Sequence, residues 1–363
     1  MKKKYIISGG GTGGHIYPAI AIAQALQQQN PDAQILFVGA EGKMEMEKVP
    51  KAGYKIIGLP IRGIQRQLSL ANLSVPFRLI KSLWKANQII KDFQPDAVIG
   101  VGGYASAAMM KVAVWHKIPI LIQEQNSYAG LTNKWLAKDA QKICVAYPEM
   151  EKYFPEQKIV FTGNPVRADL NTANLEEAYR FFGLKPHKKT LLVLGGSLGA
   201  RTINQCLKTG IQQILEAGFQ VIWQTGKAYY ADIEAFTKNI HTEGLFVRDF
   251  IYEMNFAYSI ADVVISRAGA LSISELCLAA KATILVPSPN VSEDHQSKNA
   301  MALVKKEAAV LVKDQEAAQK LIETALELLK DEQKQQKLAK NIQTLAVADA
   351  SLRIVAEVVG LNS

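Results

Sequence analysis

The chain has 363 residues, 48% hydrophobic and 21% charged, the balance of an ordinary folded protein, and it exceeds the roughly 250–300 residues at which single cores stop growing. Lys and Arg total 42 against 33 Asp and Glu, a formal charge of +9 that favours polyanionic partners such as nucleic acid, anionic lipid or phosphorylated substrates. Cys144, Cys206 and Cys277 are scattered and show no CxxC or zinc spacing, which excludes a disulfide scaffold and fits a reducing, cytoplasmic setting; no apolar run reaches the ~18 residues of a bilayer span.

Met1-Lys2-Lys3-Lys4 has the charge of a signal n-region, but the apolar run behind it breaks at Ser8 into glycines, so no signal peptide is expected. Tyr5-Ile6-Ile7 predicts a short buried strand ending in the turn Gly9-Gly10-Gly11-Thr12-Gly13-Gly14-His15, which opens onto a helix with Pro18 in its first turn. Gly9, Gly11 and Gly14 match GxGxxG, on its own a weak dinucleotide signature. The next strand, Gln34 to Val38, is followed by Gly39 where a ribose-binding acid belongs, with Glu41 two residues on, which argues against a nicotinamide cofactor. A bare strand-to-helix turn is the simpler alternative, yet each added glycine costs roughly 0.5–1 kcal/mol of chain entropy, more than a turn alone needs. His15, at the mouth of the turn, is a candidate general base beside the commoner structural role of a lone histidine.

Between Arg62 and Lys91 no acidic residue occurs. Read as a helix, this stretch puts Leu73, Phe77, Ile80, Leu83 and Trp84 on one side and Arg78, Lys81 and Lys85 on another, a pattern that either buries its apolar face in a core or docks on an anionic membrane. Strands are expected at Asp96–Ile99, Ile118–Ile122 and Lys142–Val145. The first of these ends in Gly100-Val101-Gly102-Gly103-Tyr104, a second glycine-lined edge, and the next in Gln123-Glu124-Gln125-Asn126, either a ligand-contacting strand end or a solvated loop.

A seam is expected in Thr162-Gly163-Asn164-Pro165-Val166-Arg167, giving domains 1–164 and 165–363. The second half repeats the scheme, with apolar strands at Leu191–Leu194, Gln220–Trp223, Leu245–Val247, Asp262–Ile265, Thr283–Val286 and Ala309–Val312. Gly195-Gly196-Ser197-Leu198-Gly199-Ala200 forms its glycine turn, Ser266 to Glu275 its second strand-to-helix junction, and Asp294 to Ala300 begins another helix at the same rim. No Asp-x-Asp pair stands at a strand end, so helix N-termini rather than a metal are expected to carry diphosphate charge. The last segment, Ala350 to Val359, is placed as a helix crossing back to the first domain.

These motifs together resemble the GT-B glycosyltransferases and, among them, the MurG family, which makes the disaccharide of the peptidoglycan lipid precursor. The likeness runs through the Gly-Gly-Thr-Gly-Gly-His turn, Gly102-Gly103-Tyr104, Glu124-Gln125-Asn126, Gly130-Leu131-Thr132-Asn133, Ser266-Arg267-Ala268-Gly269-Ala270 and His295-Gln296-x-x-Asn299-Ala300. It implies an α/β fold of two Rossmann-like domains with parallel sheets facing a central cleft. It also implies an inverting transfer of N-acetylglucosamine from UDP-GlcNAc to the 4-hydroxyl of undecaprenyl-diphospho-N-acetylmuramoyl-pentapeptide, lipid I, with no cofactor and no essential metal. Donor contacts carried over are Thr12, Gly13, Gly14, Asn126, Arg167, Ser197, Ile251 (its backbone on uracil), Ala270, Leu271, Ser272, Glu275 and Gln296; the acceptor edge is Gly102, Gly103 and Tyr104. His15 is the first candidate base, with Glu41 and Glu124 behind it. Gln123 stands where the family usually has histidine, and Ser272 replaces a common threonine. The resemblance also implies a peripheral place on the cytoplasmic face of the inner membrane, with an anionic membrane surface and other cell-wall synthesis proteins as partners and no nucleic acid. A UDP-sugar epimerase and a nucleotide-sugar sensor are the alternatives on the same scaffold.

Overall fold

The computed structural model describes residues 2–61, 75–166, 170, 173–196, 198–240, 243–291 and 294–361. In chain order they form β1 (Lys4–Ser8), α1 (Gly13–Gln29), β2 (Gln34–Ala40), α2 (Glu45–Lys51), β3 (Lys55–Leu59), α3 (Val75–Phe93), β4 (Ala97–Gly100), α4 (Tyr104–Trp115), β5 (Ile120–Glu124), α5 (Leu131–Leu136), β6 (Lys142–Val145) and β7 (Ile159–Phe161). There follow α6 (Leu175–Phe182), β8 (Thr190–Leu194), α7 (Arg201–Glu216), β9 (Gln220–Gln224), α8 (Tyr230–Thr237), β10 (Leu245–Arg248), α9 (Met254–Ile260), β11 (Val263–Ser266), α10 (Ala270–Ala279), β12 (Ala282–Leu285), α11 (His295–Val304), β13 (Val310–Leu311), α12 (Ala317–Lys330), α13 (Glu332–Gln343) and α14 (Ala350–Gly360). They group into two compact units, residues 1–166 with 349–363, and residues 167–348.

The first unit is built on a seven-stranded sheet of order β3-β2-β1-β4-β5-β6-β7, every neighbouring pair parallel. Strands buried on both faces have no polar side to alternate with, which is why they read as unbroken apolar runs. The pleat divides them between two cores. Ile6, Val98 and Ile120 face Met109 and Met110 of α4 and Ala86, Ile89 and Ile90 of α3. Tyr5, Ile7, Ile99 and Leu121 face Ile16, Ile22 and Leu26 of α1, and Ile354, Val355 and Val358 of α14 complete that layer.

The second unit repeats the plan with six strands, β10-β9-β8-β11-β12-β13. Leu192, Ile222 and Val264 pack toward α6, α9 and α10, while Leu191, Val193, Trp223 and Ile265 pack toward α7 and α12. In both sheets the strand order reverses beside the first strand of the unit, between β1 and β4 and between β8 and β11. Open α/β sheets bind ligands outside the carboxyl ends of the strands at such a reversal. In the first unit that point holds the Gly9–Gly14 turn and the Gly102-Gly103 edge; in the second it holds the Gly195–Gly199 turn and the start of α10.

Three elements depart from the sequence expectation, among them β3, a strand at Lys55–Leu59 with no counterpart in the sequence reading. The strand expected at 118–122 lies at Ile120–Glu124, so Gln123 and Glu124 are strand residues, both buried. The seven-residue α2, with Pro50 inside it, has no counterpart in the sequence reading, and it supplies a carboxylate to the first site.

Candidate active site

In the first unit α1 starts at Gly13, with Thr12 in extended conformation at its N-cap and no side-chain cap. The amides of Gly13 and Gly14 therefore have no intrahelical partner and present the positive end of the helix dipole. His15 follows in the same turn, half-buried. Its Nδ1 lies 3.0 Å from the Gly10 carbonyl and 3.3 Å from Thr12 Oγ1. A carbonyl only accepts, so Nδ1 carries the proton and Nε2 the lone pair. Nε2 lies over the neighbouring edge, where a Cβ on Gly102 would sit 2.8 Å from it. Gly103 touches the Gly10 carbonyl in the same way, and Tyr104, 54% exposed, begins α4. The imidazole and the Gly102-Gly103-Tyr104 edge thus form one surface.

Beneath the turn lies Glu45, the first residue of α2 and only 1% exposed. Its Oε2 accepts from the Gly11 amide at 2.9 Å and its Oε1 from the Ala40 amide at 2.9 Å. A Cβ on Gly10 would overlap this carboxylate and one on Gly39 its stem, so both glycines clear the space that it fills. Sequence reasoning missed Glu45, because Glu41-Gly42-Lys43-Met44-Glu45-Met46-Glu47-Lys48 reads as a solvated charged stretch.

The other two base candidates are engaged elsewhere in the structure. Glu41 is exposed and ion-paired at 2.9 Å with Lys85 of α3, which commits its carboxylate to a surface bridge. Glu124 is buried, and its oxygens accept four hydrogen bonds: from the Asn126 amide (3.0 Å) and Nδ2 (3.3 Å), the Gly130 amide (2.9 Å) and Asn133 Nδ2 (2.8 Å). With its acceptor capacity filled, this carboxylate shapes the loop that presents Asn126. The solvated-loop alternative for 123–126 also falls. Gln123 donates to Asn164 Oδ1 (3.0 Å), Gln125 donates to Gln123 Oε1 and to the Val101 carbonyl (2.9 Å), and all three glutamine and asparagine side chains are buried.

The amphipathic stripe is α3. Phe77, Ile80 and Trp84 are 78%, 66% and 60% exposed, with Lys81 exposed and Arg78 half-buried beside them, so these apolar side chains do not bury their face in the core. Leu83 packs against the core instead, and Lys85 pairs with Glu41 at 2.9 Å. Leu73 lies outside the described residues. No helix among those described is long and apolar enough to cross a membrane.

In the second unit Gly199 and Gly226 approach backbone to backbone, leaving no room for a Cβ on either, and Asn204 holds the pair from below by donating to the Thr225 carbonyl at 2.8 Å while accepting from Trp223 Nε1 at 2.9 Å. Gly196, at φ +77°, has open space where a Cβ would point, so this is the open part of the turn. Ser197 and Arg167, both assigned to the diphosphate, lie outside the described residues. α10 starts at Ala270 behind Gly269, without a side-chain cap, which leaves the amides of Ala270, Leu271 and Ser272 unpaired within the helix. Glu275 stands in the next turn and accepts from the phenol of buried Tyr258 at 3.3 Å, a positioning contact with no sequence signal.

Two donor assignments are narrowed. The Ile251 amide donates to Gln224 Oε1 at 3.0 Å, and Gln224 Nε2 donates to the Gly196 carbonyl at 3.3 Å, so the Ile251 amide is already engaged. Gln296 Oε1 accepts from the Ser288 amide at 2.9 Å, so its oxygen is already engaged. Arg267, prominent in the motif, is a strut: it donates to the Val286 (3.0 Å) and Pro287 (3.2 Å) carbonyls and pairs with Asp314, which also accepts from Thr202. Among the described residues no three His, Cys, Asp or Glu side chains converge as a metal site.

Two parallel α/β units, each with a glycine turn and uncapped helix starts at its strand-order reversal, have the architecture of the GT-B class. The chain matches the glycosyltransferase family 28 N-terminal domain over residues 5–145 and the glycosyltransferase family 28 C-terminal domain over residues 190–354. It is 56% identical over 360 residues, 99% of its own length and 98% of the relative's, to the UDP-N-acetylglucosamine–N-acetylmuramyl-(pentapeptide) pyrophosphoryl-undecaprenol N-acetylglucosamine transferase of Parabacteroides distasonis. It is 53% identical to the protein of the same name from Porphyromonas gingivalis, covering 98% of this chain and 95% of that one. Among solved structures it resembles Acinetobacter baumannii MurG with a TM-score of 0.78 at 28% identity, over 99% of both chains. A UDP-GlcNAc 2-epimerase from Neisseria meningitidis, at TM-score 0.67 and 16% identity over 99% of this chain and 100% of that one, shares the fold alone. The chain belongs to glycosyltransferase family 28, in the branch formed by the transferases just described.

Proposed function

We propose that the protein transfers N-acetylglucosamine from UDP-GlcNAc to the 4-hydroxyl of undecaprenyl-diphospho-N-acetylmuramoyl-pentapeptide, converting lipid I to lipid II in peptidoglycan synthesis, with inversion at the sugar carbon. What carries this reading is likeness over nearly the whole chain, at 56% identity, to a relative named for that transfer. The second unit holds UDP: the Ile251 carbonyl reads the uracil, Glu275 grips the ribose diol, and the start of α10 with Ser197 and Arg167 takes the diphosphate. Thr12, Gly13, Gly14, Asn126 and Gln296 address the donor sugar, and the Gly102-Gly103-Tyr104 edge takes the acceptor. His15 Nε2 accepts the acceptor hydroxyl proton as that oxygen bonds to the sugar carbon and the bond from the sugar to the diphosphate breaks. Negative charge then collects on UDP, where amides already oriented at helix starts stabilise it without reorganisation. The transfer needs no cofactor and no essential metal.

The exposed Phe77, Ile80 and Trp84 with Arg78 and Lys81 dock on an anionic surface in this reading, and their exposure supports a peripheral place on a membrane, here the cytoplasmic face of the inner membrane, where the lipid-linked acceptor and other cell-wall synthesis proteins are expected. The deciding experiment offers labelled UDP-GlcNAc and a short-chain lipid I analogue, with and without chelator. Disaccharide product in both is expected; product only without chelator overturns the metal-independent mechanism, and UDP-GlcNAc binding without any product overturns the transferase reading in favour of a sensor or epimerase.

A further inference from the structure

We propose that Glu45 is a positioning residue that sets the basicity of His15 through the peptide group joining Gly10 and Gly11. That peptide is engaged at both ends: its carbonyl accepts from His15 Nδ1 at 3.0 Å and its N–H donates to Glu45 Oε2 at 2.9 Å. A peptide is a conjugated unit, so an N–H donated to an anion shifts electron density toward the carbonyl oxygen and strengthens that oxygen as an acceptor. The array is a carboxylate, a peptide and an imidazole in line, with the peptide standing where a direct carboxylate–histidine bond would otherwise be.

Three observations make this more than a loop contact. Glu45 is 1% exposed, its second oxygen is fixed by the Ala40 amide at 2.9 Å, and Gly10 and Gly39 both lack the Cβ that would expel it. Among the described residues no Lys or Arg forms an ion pair with Glu45, whose two oxygens are held by backbone amides alone. The tautomer is fixed as well, because Nδ1–H faces a carbonyl, and the lone pair of Nε2 is left over Gly102. Other titratable groups on the elements around this turn include Lys43 just before α2, Glu47, Lys48 and Lys51 on α2 itself, where Lys51 pairs with Glu47 at 2.7 Å, Tyr17 further along α1, Tyr104 at the start of α4, Glu41 with its partner Lys85 beyond β2, and Glu124 at the end of β5, saturated by four donors.

The consequence for the reaction rests on His15 being the base. As the acceptor oxygen bonds to the sugar carbon and the diphosphate oxygen leaves with the electron pair, the hydroxyl proton passes to Nε2. The resulting imidazolium is stabilised by the buried carboxylate two hydrogen bonds away.

The test is NMR titration of the full-length chain labelled at histidine and glycine nitrogen, alongside kinetics of E45Q. In the wild-type protein neutral His15 is expected as the Nδ1–H tautomer, and the Gly11 amide proton should shift through the same midpoint as His15. In E45Q the His15 midpoint should fall by about one pH unit, the effect of one charge at this range in a partly screened site. The acid limb of kcat/KM should move to lower pH by the same amount, with KM for UDP-GlcNAc within about twofold of wild type and kcat several-fold lower by Brønsted behaviour. An Nε2–H tautomer, a Gly11 amide blind to the His15 titration, or an unchanged midpoint in E45Q each overturns the relay, and the first two need no variant to fold. If the midpoint falls while the acid limb stays in place, the relay stands and the assignment of His15 as base fails.

Discussion

At the scale of single residues, the carboxylates of the two units differ in what surrounds them, and this decides what each can do. Glu124 accepts four hydrogen bonds while buried, so E124Q, which puts a donor against another donor, should cost about 2–3 kcal/mol and lower the melting temperature. Loss of transfer with unchanged melting would return Glu124 to the role of base. Glu275 is oriented by Tyr258, and removing that phenol in Y258F should weaken UDP binding about three- to tenfold by calorimetry, with kcat nearly unchanged. The effect should vanish for a UDP analogue lacking the ribose hydroxyls; an equal loss there would mean Tyr258 acts only on packing. In the cysteines burial is the main cause of the shift: it pushes the thiols of Cys144 and Cys277 from 9.0 up to about 12 and raises that of Cys206. Above pH 9 the unfolded chain releases thiol protons that the native one keeps, so these groups favour unfolding increasingly as pH rises from about 9 toward about 12. Native protein at pH 8 should accordingly resist iodoacetamide, and urea should expose three reactive thiols.

At the scale of elements, α3 carries opposite instructions on its two sides. Ala86, Ile89 and Ile90 are buried and Leu83 packs against them, whereas Phe77, Ile80 and Trp84 face solvent. Replacing Phe77 and Trp84 together by Ser should abolish salt-sensitive flotation with anionic vesicles and leave the melting temperature within a degree or two, since exposed side chains contribute little to folding. Leu83→Ala should cost about 2 kcal/mol and leave vesicle binding intact, the reverse pattern. The helix was visible in the sequence as a period, but which residues lay on the core side was not: Leu83 and Trp84 are adjacent in sequence, and only contact with α4 and β3 separates them. The parallel strands were legible for a firmer reason, because burial on both faces leaves a short apolar run with no alternative. The glycine turns were legible as turns and not as different devices. One is backed by a buried acid and holds an imidazole; the other is braced by Asn204 and leaves Gly196 open. Glu45 reaches its turn from 34 residues away, through space cleared by Gly10 and Gly39, and no local pattern encodes such an arrangement.

At the scale of the whole molecule, the chain leaves its first unit near residue 166 and returns to it at residue 349, so the last helix is a structural part of a unit whose other residues precede it by about half the sequence. Ile354, Val355 and Val358 are fully buried against α1, the helix whose first turn carries Gly13, Gly14 and His15. Burial of three such side chains is worth about 5–8 kcal/mol as an upper bound, comparable with the entire stability of a domain. Ending the chain at residue 348 should therefore unfold or strongly destabilise the first unit, while the second, whose sheet and cores lie wholly within residues 167–348, keeps its fold. Calorimetry of the truncated chain should show one transition that UDP still raises, with no transfer to a lipid I analogue, because the proposed nucleotide contacts are in the second unit and the candidate base is in the first. Two intact transitions would mean that α14 is dispensable packing. Loss of the UDP response with the second transition preserved would mean that nucleotide recognition draws on the first unit after all, and that the division of labour inferred from the two strand-order reversals is wrong.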